Sequence, residues 1–460
     1  MLSDTIAAIS TAMSNSGIGI VRMSGEDSFE IIQKVFKNRW NKPVIEKTNV
    51  QSHTVHYGYI VDDTQVIDEV LVLFMKGPNS FTREDTVEVD CHGGVLVMKK
   101  ILEILIQYGA RPAEPGEFSK RAFLNGRIDL AQAESIMDLI NSSNEFAMQS
   151  SMNQLQGSVS KAIVSIRQEL IHEIAFIESA LDDPEHISLA GYPQKLFEIV
   201  NNSLLKVNKL IDTSEDGKIL KEGIQTVIVG KPNVGKSSLL NLLLGEERAI
   251  VTDVAGTTRD ILQEHISLGG ICLNIIDTAG IRDSVDIVEK IGVDKSKAYL
   301  SKADLVLYIV DSSTALDEND EEIINLLQNK KVIVLLNKTD LQPITTIDML
   351  QAKLNHTILA ISAKEEKGID EIKNAVMKLF FKGTVTFNDQ VYITSVRHKT
   401  ALIETSKSLN MVLTSIRNHM PEDFFSIDLM DAYEELSSII GESVGEDLVN
   451  EIFSKFCTGK

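Results

Sequence analysis

The chain has 460 residues, 43 % hydrophobic and 24 % charged, a balance that suits folded domains, about two to four of them at this length. Its formal net charge of −21 excludes a nucleic-acid grip spread over the whole surface, because such binding is led by Lys and Arg neutralising phosphates. Any RNA contact has to use a local basic patch or a more basic partner.

No apolar run reaches about 18 residues, and the first twenty residues lack a basic stretch leading into an apolar core, so a cytoplasmic protein is expected. Cys91, Cys272 and Cys457 lie far apart in sequence and fit neither a disulfide framework nor a zinc spacing. In chain order, residues 1 to about 120 read as mixed α/β after a polar start. Strands are predicted over 19–23, 66–75 and 86–91, with helices over 28–36 and 95–108, the latter apolar at Val97, Ile101, Leu102 and Leu105. Long helices are predicted over 117–124, 130–141 and 145–181 from apolar spacings of three and four. Asp183-Pro184 ends that run, a helix over 194–212 follows, and the polar stretch 213–217 reads as a linker. From Gln225 to about Lys382 strand and helix patterns alternate, as in a doubly wound parallel sheet. Helices return over 391–419 and 428–456. One helical domain made from two parts of the chain accounts for this, with the α/β domain inserted between Asp212 and Phe387.

The α/β segment opens on a phosphate cradle. Gln225-Thr226-Val227-Ile228-Val229 reads as a buried strand, Gly230 to Ser238 as a glycine-framed loop, and Leu239 onwards as a helix whose positive end faces an anion. In that loop the backbone around Asn233, Val234 and Gly235 can turn N–H groups onto a polyphosphate. Lys236 reaches its β and γ oxygens, the Ser237 hydroxyl meets Mg²⁺, and Ser238 follows at the helix start.

Three further stretches, each after an apolar strand, point to GTP. Asp277-Thr278-Ala279-Gly280 puts a carboxylate near the Mg²⁺ and an N–H near the γ-phosphate. Asn337-Lys338-Thr339-Asp340 supplies in Asp340 an acceptor for both the ring N–H and the exocyclic amine of guanine, a pair that adenine lacks. Ser362-Ala363-Lys364 offers a backbone N–H to the guanine oxygen. The loop Thr252-Asp253-Val254-Ala255-Gly256-Thr257-Thr258 lies where a γ-phosphate sensor belongs, with Thr258, or alternatively Thr257, completing the Mg²⁺ shell. Ile281 stands where Ras-type enzymes carry a water-orienting glutamine, and an aliphatic side chain cannot orient water. Asn233 is either a turn residue or part of a K⁺ site standing in for an arginine finger. Asp283, Asp286 and Glu289 are the acidic candidates for the water, each equally readable as a surface charge.

The chain resembles the tRNA-modifying GTPases known as MnmE or TrmE. The resemblance runs from Gly17-Ile18-Gly19-Ile20-Val21-Arg22 through Gly77-Pro78-Asn79-Ser80-Phe81-Thr82, Cys91-His92-Gly93-Gly94 and the block from Pro115 to Glu134, past the GTPase motifs, to Phe456-Cys457-Thr458-Gly459-Lys460. It implies an α/β plus all-α fold: a Ras-like P-loop G domain inserted into a discontinuous helical domain and preceded by an α+β folate-binding domain. The domains expected are 1–118 for tetrahydrofolate binding and dimerisation, 119–214 and 384–460 for the helical domain, and 215–383 for the G domain. Carried over by motif, Arg22, Glu88, Arg127 and Lys460 contact 5-formyltetrahydrofolate or another one-carbon tetrahydrofolate. Mg²⁺ falls to Ser237 and Thr258. K⁺ falls to Asn233 and the Thr252 and Val254 carbonyls, with Thr257 close by. Glu289 positions water when two G domains pair, and Cys457 matches the family's functional cysteine. Thr458 replaces an aliphatic residue of the family tail, and its hydroxyl needs a partner if buried.

The resemblance thus implies a K⁺-activated, homodimeric GTPase, with no membrane association. Acting with a flavoprotein of the MnmG/GidA type that carries FAD, it would add an aminomethyl or carboxymethylaminomethyl group at C5 of wobble uridine (U34) in certain tRNAs. A rival is a regulatory GTPase of ribosome assembly, and a third reading is a folate enzyme with a regulatory G domain. The ribosome-assembly rival does not explain the 115–134 block and the cysteine tail, and dependence of tRNA modification on the partner would exclude the folate-enzyme reading.

Overall fold

The computed structural model describes residues 4–38, 42, 51–246, 264–276, 300, 303–328, 330–381 and 391–459. In chain order the elements begin with β1 (Ile6–Ile9), β2 (Gly19–Ser24), α1 (Ser28–Val35), β3 (Phe36–Lys37), β4 (Thr54–Asp62), β5 (Gln65–Met75), β6 (Thr86–Cys91), α2 (Val95–Gln107) and β7 (Arg111–Pro112). Helices α3 (Glu117–Leu124), α4 (Leu130–Ile140), α5 (Glu145–Leu155), α6 (Ser158–Asp182) and α7 (Tyr192–Glu222) follow. Next come β8 (Ile224–Val229), α8 (Lys236–Glu246), β9 (Glu264–Leu268), β10 (Ile271–Ile275), β11 (Leu305–Asp311), α9 (Glu318–Leu327), β12 (Val332–Asn337), α10 (Ile347–Gln351), β13 (Thr357–Ala360) and α11 (Ile369–Phe380). The last helices are α12 (Val396–Arg417), α13 (Asp423–Ile440) and α14 (Glu446–Ser454). Among the described residues, no helix is long and apolar enough to cross a membrane.

The chain divides into two compact units. One holds residues 1–137, 155–171 and 433–460. Its seven-stranded sheet runs β3-β4-β5-β6-β2-β1-β7, antiparallel except between β1 and β7. Alternation along the strands decides the faces. Val70, Val72 and Phe74 of β5 and Val87, Val89 and Cys91 of β6 are buried in one cluster with Phe29 and Ile32 of α1 and Met98, Ile101 and Leu105 of α2. The opposite side exposes Val55, Tyr57 and Leu71. In the same unit, Val449 and Phe453 of α14 and Phe456 beyond it pack with Ala122, Ile128, Leu130 and Ile136.

The other unit holds residues 138–154 and 172–432. Its six-stranded sheet runs β13-β12-β11-β8-β10-β9, with every pair parallel except β9 and β10. β11 and β12 are buried at every position, as central strands covered on both faces require. Each fully buried aliphatic side chain there contributes about 1.5–3 kcal/mol. This Ras-like sheet is inserted between α7 and α12, which pack on each other through buried Leu196, Val200, Val207, Leu402, Leu409 and Val412.

Four sequence expectations are corrected. The stretch 213–217 is no linker but the interior of α7, with Thr213 and Ser214 buried. A Cβ at Gly217 would stand 2.3 Å from the Ile393 carbonyl oxygen, so the small residues there admit a neighbouring backbone. The helix expected over 145–181 is two, α5 and α6, broken around Gly157. The one expected over 428–456 is likewise split at Gly441 into α13 and α14. The polar start contains β1, and β4, which pairs antiparallel with β5 from Phe74 back to Gln65 with a register shift between Ile60 and Val61, was not anticipated.

Candidate functional sites: a phosphate loop and an arginine–glutamate pair

The apolar run of β8 ends at Val229, and the loop that follows turns back into the start of α8. Gly235 has φ +104°, and a Cβ there would lie 2.3 Å from Asn337 Nδ2. Only glycine fits this turn. Lys236 Nζ donates to the carbonyls of Gly230 at 2.7 Å and Lys231 at 2.8 Å, which stretches it across the loop. Asn233 is left-handed at φ +60° and exposed, Val234 is buried, and Ser237 and Ser238 stand on the first turn of α8. The N–H groups freed at such a turn and helix start favour a polyphosphate.

At the ends of β12 and β13 the second half of the site assembles. Asn337 Nδ2 donates to the Val234 carbonyl at 2.8 Å, and its Oδ1 accepts the Ala363 N–H at 3.0 Å. Ser362 Oγ donates to Asp340 Oδ1 at 2.8 Å and accepts the Glu365 N–H at 3.2 Å. That hydroxyl holds the Asp340 carboxyl below its ordinary 3.8, so Asp340 is an anion with lone pairs to offer a double donor. Lys338, left-handed at φ +64°, pairs its ammonium with Asp311 at 2.6 Å. Burial pulls the Asp311 carboxyl up, but the hydrogen bonds from Lys338 and Ser313 outweigh it and leave it below 3.8. Lys364 is exposed. Of the remaining nucleotide candidates, residues 252–258, residues 277–280 and the acid Glu289 lie outside the described residues.

A second site lies in the N-terminal unit. Arg22 on β2 faces Glu88 on β6 in register, and Arg22 Nε donates to Glu88 Oε1 at 2.6 Å. The guanidinium lies 5.6 Å from the centre of the Phe118 ring, and its Nη1 reaches the Gly459 carbonyl at 3.3 Å. Ser10 Oγ donates to the same carbonyl at 3.2 Å. Gly459 has φ +94°, and a Cβ would stand 2.4 Å from the Ile9 carbonyl oxygen, so the tail glycine is seated against β1. Cys457 is exposed, and its carbonyl accepts the Gly116 N–H at 3.3 Å. Thr458 is exposed as well, which leaves its hydroxyl to solvent. Arg127 does not join the ion pair; its guanidinium stacks 4.9 Å from the centre of the Phe81 ring. Lys460 lies outside the described residues.

Comparison with known proteins shows the family. Residues 130–457 match the MnmE helical domain and residues 5–127 the GTP-binding protein TrmE N-terminus. A tRNA modification GTPase MnmE of Lachnoclostridium phytofermentans is 54 % identical over 460 residues, covering 100 % of both chains. Those of Alkaliphilus oremlandii and Clostridioides difficile are each 47 % identical with 100 % coverage of both chains. The chain belongs to the MnmE family of tRNA modification GTPases.

In this MnmE-family chain, sequence reasoning missed the groups beneath the phosphate loop. Lys231 Nζ reaches Asp320 Oδ2 at 2.6 Å and Asp317 Oδ2 at 3.0 Å. Tyr308 on β11, fully buried, donates to Asp320 Oδ1 at 3.0 Å. Asp317 and Asp320 form the capping box of α9, a spacing of three that sequence does display. Their meeting with Lys231 is tertiary.

Proposed function

We propose that this MnmE-family GTPase works on tRNA as a K⁺-activated homodimer with an FAD-carrying partner of the MnmG/GidA type. The pair would install an aminomethyl or carboxymethylaminomethyl group at C5 of U34. GTP hydrolysis drives the cycle between open and closed states and forms no carbon–carbon bond itself. The observation that carries the reading is the meeting of Arg22, Glu88 and the Gly459 carbonyl, which brings the cysteine-bearing tail to a cation and a carboxylate. A one-carbon tetrahydrofolate suits those groups, with arginine for its carboxylates or carbonyls and glutamate for the pterin donors. Arg127 and Lys460 are assigned to the same ligand, and Cys457 to the chemistry beside it.

In the G domain we assign the loop 233–238 to the phosphates, Asp340 and the 362–364 turn to guanine, Ser237 with Thr258 to Mg²⁺, and Glu289 to the hydrolytic water. The left-handed Asn233, together with the carbonyls of Thr252 and Val254, is assigned to K⁺. The apolar side chains Val55, Tyr57 and Leu71, exposed on one sheet face, favour a second copy as partner. The acidic chain leaves most of the tRNA to the flavoprotein.

The test has two arms. GTP hydrolysis is measured in K⁺ against Na⁺ at equal ionic strength, where equal rates would sink the cation site. Nucleosides of tRNA from a strain lacking the chain are then analysed. Unaltered C5 groups on U34 would sink the modification reading and leave the GTPase standing.

A further inference from the structure

We propose that Lys231 is a positioning residue for the GTPase reaction, held by Asp320 and Tyr308 so that its own carbonyl sets the direction of Lys236. The argument begins at Lys236, whose ammonium donates to two adjacent carbonyls, Gly230 and Lys231. Where those carbonyls point depends on what fixes the chain at 230–231. On the Gly230 side the backbone lies against β11, since a Cβ on Gly230 would meet the Ile309 carbonyl oxygen at 2.5 Å. On the Lys231 side the fixing group is the side chain. Its ammonium lies between Asp320 at 2.6 Å and Asp317 at 3.0 Å.

The anchor is rigid for a stated reason. The Asp320 side chain is 2 % exposed against 52 % for Asp317, so Asp320 is the partner little screened by water. Its two oxygens are each engaged: Oδ1 by the Tyr308 hydroxyl, Oδ2 by Lys231 and by the Asp317 N–H at 3.0 Å. Burial lowers the Lys231 ammonium, and its hydrogen bonds to Asp320 and Asp317 outweigh that, leaving it above its ordinary 10.5. Lys231 therefore stays charged through the physiological range. The ion pair spans from the phosphate loop to the first turn of α9.

Two explanations of any loss at Lys231 have to be separated, geometry and plain charge, and Asp320 separates them. Removing the Asp320 charge makes the surroundings of the loop more positive, so simple Coulomb attraction predicts tighter binding of an anionic nucleotide. Positioning predicts weaker binding, because Lys231 loses its buried partner.

The experiment uses the full chain, with fluorescent GDP for affinity, steady-state GTP hydrolysis for KM and kcat, and thermal melting for the fold. Lys231→Met is expected to weaken GDP binding and raise KM about tenfold while kcat changes less than twofold. Lys231→Arg is expected to recover most of the affinity. Asp320→Asn is expected to weaken binding in the same direction, and Tyr308→Phe, which keeps every charge, to do so by about threefold. Wild-type affinity in Lys231→Met, with or without a lower melting temperature, would overturn the proposal. Tighter binding in Asp320→Asn would overturn it too. If Asp320→Asn does not fold, Tyr308→Phe decides alone, and unchanged affinity there counts against the relay.

Discussion

The Asn337 carboxamide donates its Nδ2–H to the Val234 carbonyl at 2.8 Å, so a residue at the end of β12 supports a peptide of the phosphate loop 103 positions earlier. Its oxygen accepts the Ala363 N–H at 3.0 Å, which ties the same side chain to the turn after β13. The loop proposed for the phosphates and the turn proposed for the base thus share one amide. Asn337→Ala leaves a buried carbonyl and an N–H without partners, at about 1–3 kcal/mol each. GDP affinity measured by fluorescence titration is expected to fall more than tenfold, and a variant that binds normally would show that the bridge is dispensable.

Asp340 is the residue proposed to read the guanine base. The Ser362 hydroxyl that lowers its carboxyl keeps it ionised well below neutrality, so guanine selectivity is expected to persist as pH falls from 7 towards 5. Asp340→Asn exchanges an acceptor for a donor at one position. It is expected to shift preference from guanine to xanthine nucleotides, measured by competition of GTP and xanthosine triphosphate for the site. Unchanged selectivity would remove Asp340 from base reading.

What was legible in the sequence follows from what each signal depends on. Gly235, Lys236, Asn337, Asp340 and Ser362 were legible because each sits at the end of an apolar run, and a parallel sheet gathers such ends along one edge. Arg22 and Glu88 were named through family resemblance, and the β2–β6 register then sets them opposite each other. Arg127, named with them, stacks on Phe81, a contact no sequence pattern announces. The stretch 213–217 misled because small polar residues mark linkers and close helix contacts alike, and only the approach of Ile393 decides between the two. Tyr308 and Asp320 carry no local signal for their role, since an ion pair between a loop and a distant helix cap exists only after folding.

The three thiols differ in environment, which sets their reactivity. Burial pushes the Cys91 thiol up to about 11 and also raises Cys272, so at pH 8 both hold less thiolate than a free cysteine. Cys457 is exposed. Brief treatment of the native chain with iodoacetamide at pH 8 is therefore expected to label Cys457 alone, as read by peptide mass spectrometry, and Cys457→Ser to abolish fast labelling. Rapid modification of Cys91 would contradict the packing of β6.

The N-terminal unit contains an ion cluster whose contribution has a defined pH window. Arg121, 1 % exposed, donates to Asp4 at 2.8 Å, to Glu84 at 3.1 Å and to Glu117 at 3.1 Å, while Arg111 reaches Glu117 at 2.5 Å. Burial raises the Glu117 carboxyl, but the hydrogen bonds from Arg111, the Glu114 N–H and Arg121 outweigh it and leave it below 4.5. Asp4 is held below 3.8, chiefly by the hydrogen bond from Arg111. Both folded-state values lie under the unfolded ones, so the stabilisation is complete above about pH 4.5 and is lost as pH falls through the folded values. The melting temperature of this unit is expected to be flat from pH 7 to 5 and to drop below 4.5. Arg121→Met keeps the bulk and removes the charge, leaving Glu117 with Arg111 and Glu84 with the Ser24 hydroxyl. A loss of about 3–5 kcal/mol is expected from urea unfolding at pH 7, and a loss under 1 kcal/mol would mean that water, not Arg121, satisfies these carboxylates.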